Sequence, residues 1–378
     1  MAKIKQIFLL LCVLLSVFSY SQIIVAAERT YQYIPLLKNQ QVAIVGNQSS
    51  MIQKTHLVDS LIKRKIHIVK VFSPEHGFRG TEDAGTKIED GIDKKTGIPI
   101  ISLYGKNKKP TTKQLEGIDV ILFDIQDVGT RFYTYISTLH YVMEAASENN
   151  LKVIVLDRPN PNGHYIDGPV RKEGFESFVG MHPVPIVHGM TIAEYAQMIN
   201  GENWISEKCN LEVIKMEKYT HDMHYDLPIK PSPNLPNARS VNLYPSLCLF
   251  EGTTISIGRG TKYPFQHFGA PYLNSSYSFI PKSGPGSKYP KHENKICFGF
   301  DLRNQDNYFT SINLDWLIYC YKNSNNKESF FNNFFDKLAG TNQLRLQIIQ
   351  GKNSTEIKSG WQSDLEEFKK IRQKYLLY

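Results

Sequence analysis

Five short apolar runs punctuate the first half of this chain, and segments with helical spacing lie between several of them. The runs sit in "QVAIVGN", "IHIVKVFSPEHG", "IPIISLYG", "IDVILFDIQDVG" and "LKVIVLDRPNP". A strand that is apolar along its whole length is buried on both faces. That happens where a parallel sheet is covered by helices above and below. "THLVDSLIKRK" reads as an amphipathic helix, and "YISTLHYVMEAASENN" carries apolar residues at helical spacing. The pattern predicts an α/β fold: a Rossmann-like, doubly wound, mostly parallel sheet.

From about residue 228 the texture changes. "LPIKPSPNLPN" holds four prolines in eleven residues, which excludes a regular helix and marks a shaped crossover. A Gly-, Pro- and aromatic-rich stretch follows over 243–272. Beyond it lie a strand-like "KICFGFDLR" and helical patterns in "NLDWLIYCYKN", "SFFNNFFDKL" and "WQSDLEEFKKIRQKYLLY". The reading is a catalytic domain over 35–240 and a smaller α+β domain over 241–378 that completes a cleft. "PKSGPGSKYPK" reads as an exposed loop.

The amino terminus has its own signature. Lys3 and Lys5 precede an apolar run from Ile7 to Phe18, and small polar residues follow. This is the pattern of an export signal over residues 1–21, too short for a membrane span. Cleavage after Ser21 fits a small-x-small site, and Val25-x-Ala27 is the other candidate. The mature chain is expected to be secreted into a periplasm, with no stable membrane anchor. Cys209, Cys248, Cys297 and Cys320 remain; their surroundings and the lack of a CxxC pair favour buried free thiols. The formal charge of +8 is dispersed, with no basic helix and no aromatic–basic stripe, so nucleic acid is not an expected partner.

In doubly wound sheets the ligand sits beyond the carboxyl ends of the strands. Those ends carry Asn47, then Glu75 and His76, then Tyr104, then Asp124, Gln126, Asp127 and Arg131, and finally Asp157 and Arg158. Neither GxGxxG nor GxxxxGK[ST] is present, which argues against a nucleotide enzyme. No GxSxG elbow offers a serine nucleophile. No HExxH spacing supports a metal, and no cofactor is expected. A carboxyl at the end of a buried strand is partly desolvated, which makes Glu75 a usable general acid. Arg79 or His76 would oppose that shift if close, and would favour a carboxylate nucleophile instead. Glu251 follows an apolar run in "CLFEGT". Arg259, between two glycines, is placed either to grip a ligand carboxylate or to form a salt bridge. Asp124 and Asp127 could hold a sugar hydroxyl or activate a water, or one could cap a helix and pair with Arg131.

Six segments taken together carry a family resemblance: "FSPEHGFRG", "FDIQDVGTRFYTYISTL", "LDRPNPNGHYIDGPV", "PSPNLP", "CLFEGTTISIGRGTKYPFQHFGAP" and the terminal "WQSDLEEFKKIRQKYLLY". In this order they resemble the NamZ-type exo-β-N-acetylmuramidases of peptidoglycan turnover, from about residue 35 to the C-terminus. The resemblance implies a Rossmann-like domain and a C-terminal domain with the site between them. It also implies release of N-acetylmuramic acid from the non-reducing end of peptidoglycan-derived disaccharides or muropeptides. Glu75 then looks like the principal catalytic carboxylate and Glu251 like a second acid facing it, with His76 beside them. Thr254 stands where many relatives have Asn. Asn47, Arg79, Asp124, Gln126, Asp127, Arg131, Asp157, Arg158, Asn234 and Arg259 are the expected substrate contacts. Arg259, Arg158 or Arg131 would supply the fork for the lactyl carboxylate.

Overall fold

The structure is a computed structural model and describes residues 22–75, 77–79, 90–304 and 308–378. Residues 1–21, read above as an export signal, and His76 lie outside these residues. Twelve strands run in chain order: β1 Val42–Gly46, β2 Met51–Ile52, β3 Thr55–His56, β4 Ile68–Ser73, β5 Gly91–Ile92, β6 Pro99–Ser102, β7 Val120–Asp124, β8 Lys152–Leu156, β9 Asn210–Ile214, β10 His267–Ala270, β11 Tyr277–Phe279 and β12 Cys297–Asp301. Seven of them form one sheet in the order β5-β6-β4-β1-β7-β8-β9. Every pairing in it is parallel except that of the two-residue edge strand β5 with β6. The five apolar runs are β1, β4, β6, β7 and β8, as expected. At the centre, β1 and β7 are buried at every position. The edge strand β9 escapes the sequence pattern because its Asn-Leu-Glu-Val-Ile is short and largely half-buried.

Chain order reverses on either side of β1, with β4 and β7 as its neighbours. The crevice beyond their carboxyl ends is where such sheets bind ligands. The helix Tyr135–Glu148 packs its buried residues, among them Ile136, Leu139, Val142 and Met143, into the same apolar core as the residues on one sheet face. Beyond residue 241 a three-stranded antiparallel sheet, β10-β12-β11, joins a run of short helices. One apolar core is continuous through both parts and reaches from Val45 and Phe123 to Phe250, Phe268 and Phe335. Cys209, Cys248, Cys297 and Cys320 are buried and unpaired. Among the described residues no helix is long and apolar enough to cross a membrane.

Much of the polar sheet edge is spent on internal fastening. Arg131 is fully buried and donates to the carbonyls of Pro169 (2.8 Å), Val184 (2.6 Å) and Leu338 (2.9 Å). Asp157 accepts from the Thr191 hydroxyl (2.8 Å), the Ala193 amide (3.0 Å) and the hydroxyl of Tyr378 (2.8 Å). It thereby ties the helix Ile192–Gly201 and the last residue of the chain to the end of β8. His221 meets the buried Glu194 carboxylate at 3.0 Å.

Two of these buried acids titrate far from the ordinary Asp value of 3.8. Burial pushes both Asp127 and Asp157 up to about 7; neighbouring Glu194 adds to the shift of Asp157. These two acids therefore bind more protons in the folded than in the unfolded chain between about pH 4 and 7. The stability they contribute is fullest at the acid end of that window and is lost as pH rises through 7. Buried histidines, His188 and His267 among them, are pushed down by burial and act in the opposite sense, so the contribution of an acid is read by difference. The thermal midpoint of the wild type minus that of Asp127→Asn should be larger at pH 5 than at pH 7.5. A difference that grows toward pH 7.5 would contradict the assignment.

Candidate active site

At the mouth of the crevice, a cavity of about 260 Å³ is walled by both parts of the chain. Its acids are Glu75 and Glu251, its cation is Arg259, and Asn234 adds an amide. Phe132, Tyr133, Tyr135, Tyr244 and Phe265, all deeply buried, are among its other lining residues.

Glu75 arrives there because β4 ends at Ser73 and Pro74 cannot continue the ladder. The Gly77 amide closes the turn on the Pro74 carbonyl at 3.3 Å with φ 79°, a backbone state that favours glycine. The Tyr135 hydroxyl donates to the Glu75 carbonyl (3.4 Å) and accepts from Asn47 Nδ2 (2.9 Å). The Glu75 carboxyl is half-buried and has no ion-pair partner among the described residues. Burial pushes its pKa up; a hydrogen bond from the Tyr104 hydroxyl and the more distant Arg259 charge hold it back. Tyr104 itself is pushed up to about 12, so it stays a neutral donor at physiological pH.

Glu251 sits in a 3-10 turn, Cys248–Gly252, that follows the helix Ala238–Leu247. Arg259 grips one of its oxygens twice, from Nε at 2.7 Å and Nη2 at 2.5 Å. Its guanidinium also lies 5.2 Å from the centre of the Phe265 ring. Both flanking glycines have positive φ, and a Cβ on Gly258 would come within 2.2 Å of the His267 ring. Close packing, rather than approach to a ligand alone, therefore requires glycine beside Arg259.

The segment expected to be an exposed loop proves to be a strap that fastens three walls of the cavity. Lys282 N–H donates to the Gly260 carbonyl (2.9 Å), beside Arg259. The Gly286 carbonyl accepts from Asn234 Nδ2 (2.8 Å). Lys291 Nζ reaches the carbonyls of Phe250 (2.8 Å), Glu251 (3.0 Å) and Thr253 (2.6 Å), filling the acceptor-rich end of the Glu251 turn. Burial pushes this ammonium down to about 8, despite the favourable field of Glu251.

The structure brings together Glu75, Glu251, Asn234 and Arg259 from the expected set; the other expected residues do not border this cavity, except that His76 lies outside the described residues. Asp124 forms a buried bidentate pair with Arg158 (2.6 and 2.8 Å), and Arg158 also donates to the Met51 carbonyl. Such a pair gains by saturating both partners, so neither side chain is free for a sugar. Gln126 is spent on the carbonyls of Asp127 and Pro159. Asp127 accepts from the Gly129 amide, and Arg131 and Asp157 are the fasteners described above. Arg79 does not orient Glu75: Asp93 (2.8 and 2.7 Å) and Asp59 (3.0 Å) hold it. Asn47 acts one step back, through Tyr135. Among the described residues no cluster of three His, Cys, Asp or Glu side chains could hold a metal ion.

Tyr104 was visible as a strand-end residue without a role; Lys291 carried no signal, since one lysine among three in a Pro- and Gly-rich loop looks solvated. Replacing it with methionine leaves several carbonyls without a charged donor. Lys291→Met should cost about 2–3 kcal/mol in denaturant unfolding. Retention of wild-type stability would show that the strap is not a fastener.

Comparisons with known proteins agree with this architecture. The family described as exo-beta-N-acetylmuramidase NamZ matches through its N-terminal part over residues 42–239 and its C-terminal part over 242–378. The chain is 39% identical over 377 residues to peptidoglycan beta-N-acetylmuramidase NamZ of Bacillus subtilis, covering 92% of this chain and 89% of that protein. Two crystal structures of DUF1343 family proteins from Bacteroides fragilis share the fold. One superposes with a TM-score of 0.89 at 47% identity, covering 95% of this chain and 99% of that one. The other gives 0.81 at 30% identity, covering 94% and 99%. The chain belongs to the NamZ family of exo-β-N-acetylmuramidases.

Proposed function

We propose that this chain is an exo-acting glycoside hydrolase that releases N-acetylmuramic acid from the non-reducing end of peptidoglycan fragments, with Glu75 as its general acid. The observation that carries the assignment of roles is the unlike setting of two carboxyls on one cavity. Glu75 is half-buried and takes a hydrogen bond from a phenol, whereas Glu251 is clamped by a guanidinium. Environments that separate two carboxyls in this way divide acid from carboxylate duty. Glu75 donates its proton to the glycosidic oxygen as the bond to the anomeric carbon breaks. Glu251 presents negative charge to the positive charge that develops at that carbon; a water then bonds its oxygen to the carbon and gives up the proton that restores Glu75.

Arg259 is the one candidate fork for the lactyl carboxylate that borders this cavity, since Arg131 and Arg158 are spent inside the protein. Nε and Nη2 serve Glu251, and no hydrogen bond of Nη1 is seen among the described residues, which leaves it for the substrate. Export by the leader read in residues 1–21 would bring the enzyme to the periplasm, where such fragments arise.

A β-N-acetylmuramide bearing a chromophore should be hydrolysed, and the N-acetylglucosaminide that lacks the lactyl group should not; equal turnover would contradict the role of Arg259. Glu75→Gln should lower kcat by roughly 10³-fold, and a variant within tenfold of wild type would exclude Glu75 as the acid. The protonated form is the active one, so kcat/KM falls as pH rises through the pKa of Glu75. The Tyr104 hydrogen bond favours the carboxylate, and Tyr104→Phe should therefore move that limb to higher pH. A shift to lower pH would reverse the assignment.

A further inference from the structure

Among the aromatic residues that line the cavity, Phe334 differs from the others. Phe132, Tyr133, Tyr135, Tyr244 and Phe265 are between 1% and 8% exposed, whereas Phe334 is 40% exposed. The five form the floor and walls; Phe334 stands at the mouth. Other large apolar side chains of this chain are as exposed, but Phe334 is the exposed one that also borders the cavity holding Glu75 and Glu251.

Its position is fixed rather than incidental. The Asn332 amide donates to the Gly252 carbonyl at 2.9 Å, and Asn332 Oδ1 accepts the Phe334 amide at 2.9 Å. Next in the chain, Phe335 is fully buried, and a Cβ on Gly252 would come within 2.4 Å of its Cα. Phe334 is thus set in register with the turn that carries Glu251.

We propose that Phe334 is the platform for the leaving sugar, the N-acetylhexosamine joined to the muramyl residue that is cleaved off. This rests on the muramidase reading above. In an exo-acting enzyme with a blind pocket the terminal residue sits inside, next to Glu75 and Glu251, and the aglycone remains at the mouth. A β-linked gluco-configured pyranose has equatorial substituents and axial C–H bonds, so each face is apolar. The electron-rich face of an aromatic ring attracts those C–H hydrogens while the sugar hydroxyls stay in water. The aglycone is thereby held flat, with its glycosidic oxygen toward Glu75.

The test compares two substrates with the full chain: the β-linked N-acetylmuramyl-N-acetylglucosamine disaccharide and β-N-acetylmuramyl fluoride, whose leaving group has no ring. Phe334→Ala should lower the ratio of kcat/KM for the disaccharide to that for the fluoride by roughly tenfold. Phe334→Trp should restore it. Inhibition by free N-acetylglucosamine should weaken in Phe334→Ala in parallel. An unchanged ratio would overturn the platform even if both rates fell. Failure of the wild-type chain to hydrolyse either substrate would overturn the muramidase reading, and the platform with it.

Discussion

One buried cation holds the two parts of the molecule in register. Arg131 follows β7, has no exposed surface, and donates to two carbonyls of the segment 169–184 and one at Leu338 in the C-terminal part. A guanidinium is suited to this because its fork can serve several carbonyls at once and it stays charged where a lysine would shed its proton. Phe132, Tyr133 and Tyr135 come just after it, and Leu338 is itself part of the cavity wall. The walls of the cavity are therefore set by the same joint that fastens the halves. A cation here without its carbonyls would be costly, which makes the joint specific to this one arrangement.

The same economy recurs along the sheet edge. Loops that leave a buried parallel sheet carry backbone groups into a region with little water, and each needs a partner. Asp124–Arg158, Gln126, Asp127 and Asp157 supply those partners. On the C-terminal side Lys291 and Asn234 do the same for the turn of Glu251 and for the strap. On the cavity stand the carboxyl of Glu75, held by the Tyr104 hydroxyl, the Glu251–Arg259 pair and the exposed ring of Phe334, and the proposed chemistry falls to these groups.

The sheet was legible because its strands are apolar along their length, and only burial on both faces explains that. Glu75 was legible for a related reason: a proline after a buried strand puts the next side chain at the crevice. The charged residues on the other strand ends were not separable from it by type alone. Whether a strand-end Asp meets a sugar or an arginine depends on the neighbouring strand, and strand order is a property of the fold. Once β7 and β8 are known to be adjacent and parallel, the pairing of Asp124 with Arg158 follows from their position at matching ends. Lys291 marks the limit of the sequence reading. Its role comes from the 3-10 turn that it caps, forty residues earlier in the chain, and nothing local announces the contact.

The central claim is that Glu75 holds a proton at the cavity in the free protein, at a pH where an ordinary glutamate has lost it. Carboxyl ¹³C chemical shifts of glutamate-labelled protein, followed through a pH titration and assigned by comparison with Glu75→Gln, test this directly. The account predicts that the resonance absent from the variant titrates above the ordinary glutamate value. A Glu75 resonance that titrates at or below that value would contradict it.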